Sequence, residues 1–468
     1  MTLRPTALLL RCSVLVTALA LAGCASLTAR PGAVPEVAVP AQWSQATPST
    51  PATSLVDWWQ RFNDPLLSQL VTQALQANTT VRSAQAALAQ ARALRDVSSA
   101  NLGPTVGASA SAQRSKSGDN PAGNNFRAGF DASWEPDIFG GKRAGLSASD
   151  AVAQASQATL ADTQVSVAAE VAVAYLQLRG QQARLAIARS NLTSQQETLQ
   201  ITDWRVQAGL TTSLELSQAR TNTEQTLAQI PALETSVAQT RHALAVLTGQ
   251  PPSALNMLLD PVVAVPLPAD DLALSIPAAT LRQRPDVRAA EQQIAAALAR
   301  VSQADAARYP SFQISGSVGL SAMALSSLTG GGSLVSALLG SVSVPLFDGG
   351  AARAQVRSQE AALEQARIAY QGVVLTALQE VEDALVSLRG NRERLQRLRN
   401  ASESAQQAAL LATQRYNSGL VDFQTVLDTQ RSLLSTQDSV ASTQAELSAD
   451  HVRLYKALGG GWQPEPNT

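Results

Sequence analysis

The chain repeats itself, and the repeat constrains its fold more than any other feature. Glu170-Val171, Leu178-Arg179-Gly180 and Arg184-Leu185 recur as Glu380-Val381, Leu388-Arg389-Gly390 and Arg394-Leu395, at an offset of 210 residues. The same offset carries Gly209-Leu210 onto Gly419-Leu420, Leu244 onto Leu454 and Gly249 onto Gly459. Upstream the offset becomes 208 for Phe139 and Phe347 and 206 for Pro104 and Pro310, so length varies where loops are expected. The chain is a tandem duplication, with repeats at 65–250 and 277–461, a proline-rich linker at 251–276 and a short tail at 462–468.

Each repeat has one order of elements. A helical stretch comes first, at 65–101 and 278–308. Asp64 is placed to cap the first of these and Pro65 to open it. Two alternating segments follow, then a long helical stretch at 142–207 and 350–416, a short turn, and a return helix at 212–248 and 422–458. Gly249 and Gly459 stand where the return helices should end. At about 1.5 Å per residue the long helices reach roughly 100 Å, which a return helix and a first helix stacked end to end would match. Abundant alanine, serine and glutamine, with only 4 % aromatic residues, suit close-packed long helices better than a thick globular core.

The alternating segments have period two, the mark of strands with one apolar and one polar face. Val106, Ala108, Ala110 and Ala112 alternate with polar or small residues in 104–113, as do Phe126, Ala128, Phe130, Ala132 and Trp134 in 126–135. Phe312, Ile314, Val318 and Leu320 do so in 312–321, and Leu338, Val342, Val344 and Leu346 in 338–346. Strands of about ten residues, apolar outside and polar inside, describe a transmembrane β-barrel. A soluble β-sandwich would show the same alternation. The absence of charge between Arg308 and Asp348 also admits a transmembrane helix, against which Gly330-Gly331-Gly332 argues for a hairpin loop. Four strands cannot close a barrel, and an open edge in lipid leaves backbone groups unsatisfied. The predicted fold class is therefore mainly α with a transmembrane β-barrel part assembled from several chains. A trimer would supply about twelve strands.

Residues 1–23 read as a signal peptide: Arg4 and Arg11 supply positive charge, and Leu8 to Ala22 supplies an apolar stretch too short to span a bilayer. Leu21-Ala22-Gly23-Cys24 resembles a lipobox, which makes Cys24 the expected site of covalent lipid and 24–64 a lipidated N-terminal segment. Ala25 in place of an aspartate favours the outer membrane. The two cysteines are Cys12, removed with the signal peptide, and Cys24, so no disulfide is expected in the mature chain. That lipid is the one non-protein group expected, with no cofactor or metal. A net charge of −1 gives no reason to expect nucleic acid.

Trp58-Trp59-Gln60-Arg61-Phe62-Asn63-Asp64-Pro65-Leu66 resembles the opening signature of NodT-type outer-membrane efflux lipoproteins, within the TolC-like family. Arg284-Pro285-Asp286-Val287-Arg288-Ala289-Ala290-Glu291 resembles the start of that family's second repeat. Pro345 through Gly350, and Trp134-Glu135 through Phe139-Gly140-Gly141, resemble its strand-to-helix junctions, with Pro136 as a departure. The match runs from about residue 55 to 460. The resemblance implies a homotrimer, a twelve-stranded barrel, a helical periplasmic tunnel, and a collar holding the N-terminal segment, linker and tail. It also implies a periplasmic adaptor and an inner-membrane pump of the resistance-nodulation-division class as partners. The chain would then be the passive outer-membrane duct that exports small molecules.

The resemblance also gives meaning to the ends of the long helices. The turns holding Gly209-Leu210 and Gly419-Leu420 resemble the family's periplasmic tips, which contact the adaptor, although glycine at a helix end also explains them as turns alone. Thr212 with Glu215 forms a capping-box pattern, and Asp422 occupies the matching N-cap position. Asp428 matches the family position whose aspartates ring the closed aperture, while its counterpart Gln218 is neutral. His242 and His451, the only histidines, lack metal-ligand spacing, and no phosphate loop or nucleophile elbow is found, so no enzyme is expected. Two other readings remain: a duct for protein secretion and a non-conducting coiled-coil envelope protein.

Overall fold

The structure, a computed structural model, describes residues 35, 37, 43, 55–119, 121–268 and 278–462. Cys24, the signal peptide, most of the N-terminal segment and 463–468 lie outside the described residues. The first repeat contains α1 (Pro65–Ala77), α2 (Thr79–Ala100), β1 (Thr105–Ser115), β2 (Gly123–Trp134), α3 (Gly141–Gln207) and α4 (Ser213–Leu247). A one-turn helix, α5 (Asn256–Leu259), lies in the linker. The second repeat contains α6 (Pro285–Ala306), β3 (Ser311–Ala322), β4 (Leu334–Ser343), α7 (Ala351–Asn417) and α8 (Phe423–Ala457). The two long helices have 67 residues each and the return helices 35 each.

The first helical stretch is broken where one helix was expected. Asn78, with ψ 133, ends α1, and its side-chain oxygen caps α2 by accepting from Thr80 N and Val81 N. Its side-chain amide donates to the Leu247 carbonyl at the end of α4, at 2.8 Å. In the second repeat Arg284 occupies the equivalent corner. Its backbone is extended before Pro285, as a residue preceding proline prefers. Its guanidinium donates to the Ala457 carbonyl at 2.6 Å, and Ala457 lies 210 residues after Leu247. One interaction, the clamping of a return helix's last carbonyls, is thus performed by two different side chains. The same guanidinium bridges Asp286 and Glu380 at 2.7 and 2.8 Å.

The strands form one antiparallel sheet in the order β1-β2-β3-β4, so the two repeats meet at the β2–β3 pair. Register keeps like with like. Val106, Ala108, Ala110 and Ala112 sit opposite Ala132, Phe130, Ala128 and Phe126. Phe130 and Trp134 in turn oppose Val318 and Ile314. The other face carries Ser109, Ser111 and Asp131, with Arg127 beside Ser321. Gly129 and Gly319 face each other there, so closely that a Cβ on either would lie within 2.7 Å of the opposite strand's carbonyl oxygen. No side chain fits at that crossing, which lets the sheet coil tightly. β4 departs from the expected 338–346: it starts at Leu334, and Val344 and Leu346 lie beyond it. Over Leu334–Leu339 both faces are mainly apolar, because Val335, Ala337 and Leu339 share the face of Ser317.

Each long helix is started by an aspartate in the preceding junction. Asp137 accepts from Lys142 N and Arg143 N, and Asp348 from Gly350 N and Ala352 N. The two carboxylates sit on opposite sides of the matched Phe139 and Phe347, yet both reach the N–H of the second helical residue, Lys142 or Ala352. β2 ends at Trp134, two residues before Pro136.

Along α3, α2 covers the half near the sheet and α4 the far half. Ser98 meets Ser149 at 2.8 Å, and Thr240 donates to Gln181 at 2.9 Å. α6 also packs on α3 and α7, which joins the repeats. Near the middle, Trp58, Trp59 and Phe62 are buried with Leu67, Leu70, Tyr175, Leu176 and Tyr455. Trp58 stacks on Tyr455 with ring centroids 5.6 Å apart. Tyr175 donates to Asp64 Oδ2 at 2.6 Å while Asp64 Oδ1 caps α1, and burial with that bond pushes the Tyr175 phenol up to about 12. The linker is strapped to the same level: buried Arg179 donates to the Pro261 carbonyl, Gln182 to Leu259 and Ser448 to Pro266. Among the described residues, no helix is long and apolar enough to cross a membrane.

Candidate functional site

The expected site residues gather at the end of the helical pairs farthest along the chain from the sheet. Both turns have the same hydrogen-bonded form. Gly209 N donates to Val206 O and Leu210 N to Arg205 O; Gly419 N donates to Tyr416 O and Leu420 N to Arg415 O. This is the Schellman pattern, which needs a left-handed residue after the helix. Gly209 and Gly419 supply it, with φ of 70° and 75°. Leu210 and Leu420 project from the turns and are 70 % and 74 % exposed. Large apolar side chains left mostly exposed at a tip display more than a helix stop requires.

Beneath the turns lies a small core of Ala219, Ala412, Tyr416, Phe423, Val426 and Leu427. Tyr416 is its centre. Its ring lies 5.3 Å from that of Phe423, and the Arg205 guanidinium sits 4.4 Å above it. Its hydroxyl donates to Glu215 Oε2 at 3.0 Å, an atom that also accepts from Thr211 Oγ1. Burial, reinforced by the Glu215 carboxylate, holds the Tyr416 phenol above its ordinary pKa. The capping box expected of Thr212 and Glu215 is therefore not formed. Thr212 precedes α4 without a side-chain cap bond, because two hydroxyls claim the Glu215 carboxylate. Asp422 does cap α8, accepting from Thr425 N at 2.9 Å.

Asp428 stands on the exposed face of α8, opposite buried Val426, Leu427 and Gln430. Its nearest bonded partner is Gln424, whose amide donates to Oδ1 at 2.9 Å. Its first-repeat counterpart Gln218 is half-buried. The carboxylate is thus free to face an axis or another copy.

Sequence reasoning missed the polar seam that joins the two helical pairs above the tips. Every seventh residue of α3 bonds across it. Arg184 makes a bidentate pair with Asp438 at 2.7 and 3.1 Å. Asn191 donates to Gln437 at 2.9 Å, Thr198 accepts from Gln430 at 3.0 Å, and Arg205 donates to the Tyr416 carbonyl at 3.2 Å. Beside this row Arg431 donates to Asn222 at 3.0 Å. An apolar seam would lock the pairs together, whereas one of exchangeable hydrogen bonds permits them to shift at low cost. The signal was present as polar residues at 184, 191, 198 and 205, a heptad row along one helix.

The two histidines have no part in this region: His242 is exposed on α4, and His451 is buried near Tyr455. Among the described residues no group of histidine, cysteine and acidic side chains is arranged to hold a metal ion.

Comparison with known proteins places this architecture. A family model described as "Outer membrane efflux protein" matches residues 70–250 and 276–460, one match for each repeat. Nodulation protein T of Rhizobium leguminosarum bv. viciae is 31 % identical over 435 residues, covering 92 % of this chain and 89 % of that protein. Pyoverdine export outer membrane protein OpmQ of Pseudomonas aeruginosa is 32 % identical over 442 residues, covering 92 % of each. The solved outer-membrane channel OprN superposes with a TM-score of 0.84 at 36 % identity, covering 92 % of this chain and 99 % of that one.

Proposed function

From the premise that this chain belongs to the outer membrane efflux protein family, and is accordingly a channel component and not an enzyme, we propose that it is the exit duct of a tripartite efflux system. Three copies enclose one passage. Their sheets close into a barrel in the outer membrane, and their long helices continue it into the periplasm.

The observation that carries this reading is the sheet. It has one continuous apolar face and two unpaired edges, β1 and β4, and it leads directly into helices of 67 residues. In lipid those edges need partners, and further copies supply them without leaving any edge open. The Ser109, Asp131 and Ser317 face then lines water, and the Phe130 and Val342 face meets lipid.

At the other end, Leu210 and Leu420 offer apolar knobs to the helical hairpins of a periplasmic adaptor, and Gly209 and Gly419 set their direction. Asp428 faces the narrowing passage, and the seam from Arg184 to Arg205 allows α7 and α8 to move against α3 and α4. Lipid on Cys24 tethers the assembly to the outer membrane. The energy comes from an inner-membrane pump, of the resistance-nodulation-division class, which also selects the cargo. The cargo consists of small molecules, in line with relatives named for pyoverdine export and for toluene efflux.

Purified protein added to a planar bilayer should give discrete, uniform conductance steps, and cross-linking in the same detergent should end at three chains. Protein that is folded and inserted but carries no current would remove the duct reading.

A further inference from the structure

We infer that the inner wall of the barrel carries a binding site for small amphiphilic cations, formed by Val335, Leu339 and Asp131. The inference rests on the duct reading, which assigns the Asp131 face of the sheet to the lumen.

The register defines the site row by row. One row runs Ser109, Gly129, Gly319, Val335; the next runs Gly107, Asp131, Ser317, Ala337; the third runs Thr105, Ser133, Ser315, Leu339. β4 therefore contributes an apolar wall of Val335, Ala337 and Leu339. β3 contributes a floor of glycine and serine, and β2 contributes a carboxylate. Asp131 and the β4 wall are two strands apart, about 10 Å at the usual strand spacing. The floor between them is low because Gly129 and Gly319 carry no side chain and lie too close to accept one.

The duplication shows what is unusual here. At the 208-residue offset that relates Phe139 to Phe347, Val335 corresponds to Arg127, Ala337 to Gly129 and Leu339 to Asp131. The first repeat places charge where the second places aliphatic side chains. Val335 and Leu339 are 52 % and 61 % exposed, and β1, the other edge, offers only Gly107 and the polar Thr105, Ser109, Ser111, Gln113 and Ser115 on this face. Such residues on the wet side of an edge strand gain nothing from burial in the fold. They also make Leu334–Leu339 a strand apolar on both faces, which favours aggregation. Lipid lies on the opposite face and the neighbouring copy joins at the edge, so cargo in the lumen is what can cover them.

Charge selects the kind of cargo. Asp131 is exposed, and its Oδ2 accepts from Ser109 Oγ at 2.7 Å, which fixes the carboxylate without neutralising it. A molecule with an apolar body and a cationic centre about 10 Å long spans the floor and satisfies both walls. A wide hydrated lumen makes such binding weak, which suits a passage that must release what it holds.

Block of single-channel current tests the site. Tetraphenylphosphonium is the amphiphilic probe and tetramethylammonium the hydrophilic control. Wild-type channels should show block by the first, weakened about fivefold by Val335→Thr, Leu339→Gln or Asp131→Asn. Block by tetramethylammonium should not respond to Val335→Thr or Leu339→Gln. Val335→Thr keeps side-chain shape and strand preference, so assembly is retained. Equal tetraphenylphosphonium block in wild type and Val335→Thr, or an effect confined to Asp131→Asn, would overturn the site while leaving the duct intact. Wild-type protein that inserts and never conducts would remove the duct reading and this inference with it.

Discussion

The Tyr416 hydroxyl donates to Glu215 Oε2 across 3.0 Å, tying the last turn of α7 to the first turn of α4. The bond joins the two repeats at their tips, where the seam along α3 ends. Tyr416→Phe removes the donor and keeps the ring against Phe423 and Arg205. A hydrogen bond to a carboxylate, partly open to water, contributes roughly 1 kcal/mol. The variant should assemble normally and give a larger single-channel conductance. Single-channel recordings indistinguishable from wild type would mean that the tie does not restrain the tips.

The tip glycines act through backbone geometry alone. A Cβ at Gly209 or Gly419 meets nothing within 4 Å, so substitution there incurs no clash. Their positive φ is the constraint, and a β-branched residue in that region costs about 1–2 kcal/mol. Gly209→Val and Gly419→Val should redirect Leu210 and Leu420 and lower drug resistance in an efflux assay, with trimers still in the outer membrane. Gly419→Asn should be milder. Unchanged resistance at equal protein level would show that the turns serve only to reverse the chain.

The two faces of the sheet should respond differently to charge. In the proposed barrel, Phe130→Arg and Val342→Arg would place a guanidinium against lipid, at a cost of about 2–4 kcal/mol near the midplane. Asp131→Asn and Ser343→Arg on the opposite face should be tolerated. The check is the amount of heat-resistant oligomer recovered from outer membranes, and equal loss from both sets would invert the assigned faces.

Much of this architecture was legible in the sequence because its signals are local and doubled. Alternation in β2 and β3 predicts which of their side chains share a face, and glycine at four equivalent places predicts the helix ends. What escaped depends on partners distant in sequence. Asn78 breaks a helix to hold Leu247 O, 169 residues away, and nothing near it in the sequence announces that bond. The ties from Glu215 to Tyr416 and from Asn191 to Gln437 span 201 and 246 residues. β4 misled the alternation pattern because it is apolar on both faces through Leu339, where period two carries no information.

Asp162 offers a test by pH. It is largely buried on α3, and burial raises its pKa, helped by the Asp286 carboxylate and opposed by Arg284 and Lys456; Glu380 adds a smaller upward push. A carboxyl whose folded pKa exceeds its unfolded value favours folding most below the unfolded pKa. That contribution is lost as pH rises through the folded pKa. Above the unfolded pKa this linkage therefore weakens the fold, and Asp162→Asn should raise the thermal midpoint near neutral pH. The gain should shrink as pH falls and vanish by about pH 4. A gain independent of pH would place its cause outside this ionisation.

Asp428 is the sharpest test of the passage itself. Its carboxylate is exposed beside Gln424, on the side of α8 away from the tip core, and Gln218 supplies no second charge in the repeat. Three copies would bring three such groups toward one axis. Like charges so placed attract cations and repel anions, and they do so most strongly where the passage is narrow. Asp428→Ala removes the charge without touching Val426, Leu427 or Gln430, which hold α8 in place. It should shift permeability away from cations and leave the single-channel conductance at high salt nearly unchanged. The shift should be larger near 0.01 M salt than near 1 M, because the screening length falls from about 30 Å to about 3 Å. Asp422→Ala is the control, since that carboxylate is engaged with Thr425 N and its loss should lower stability without changing ion preference. An Asp428→Ala channel with wild-type selectivity at both salt concentrations would place this carboxylate off the permeation path.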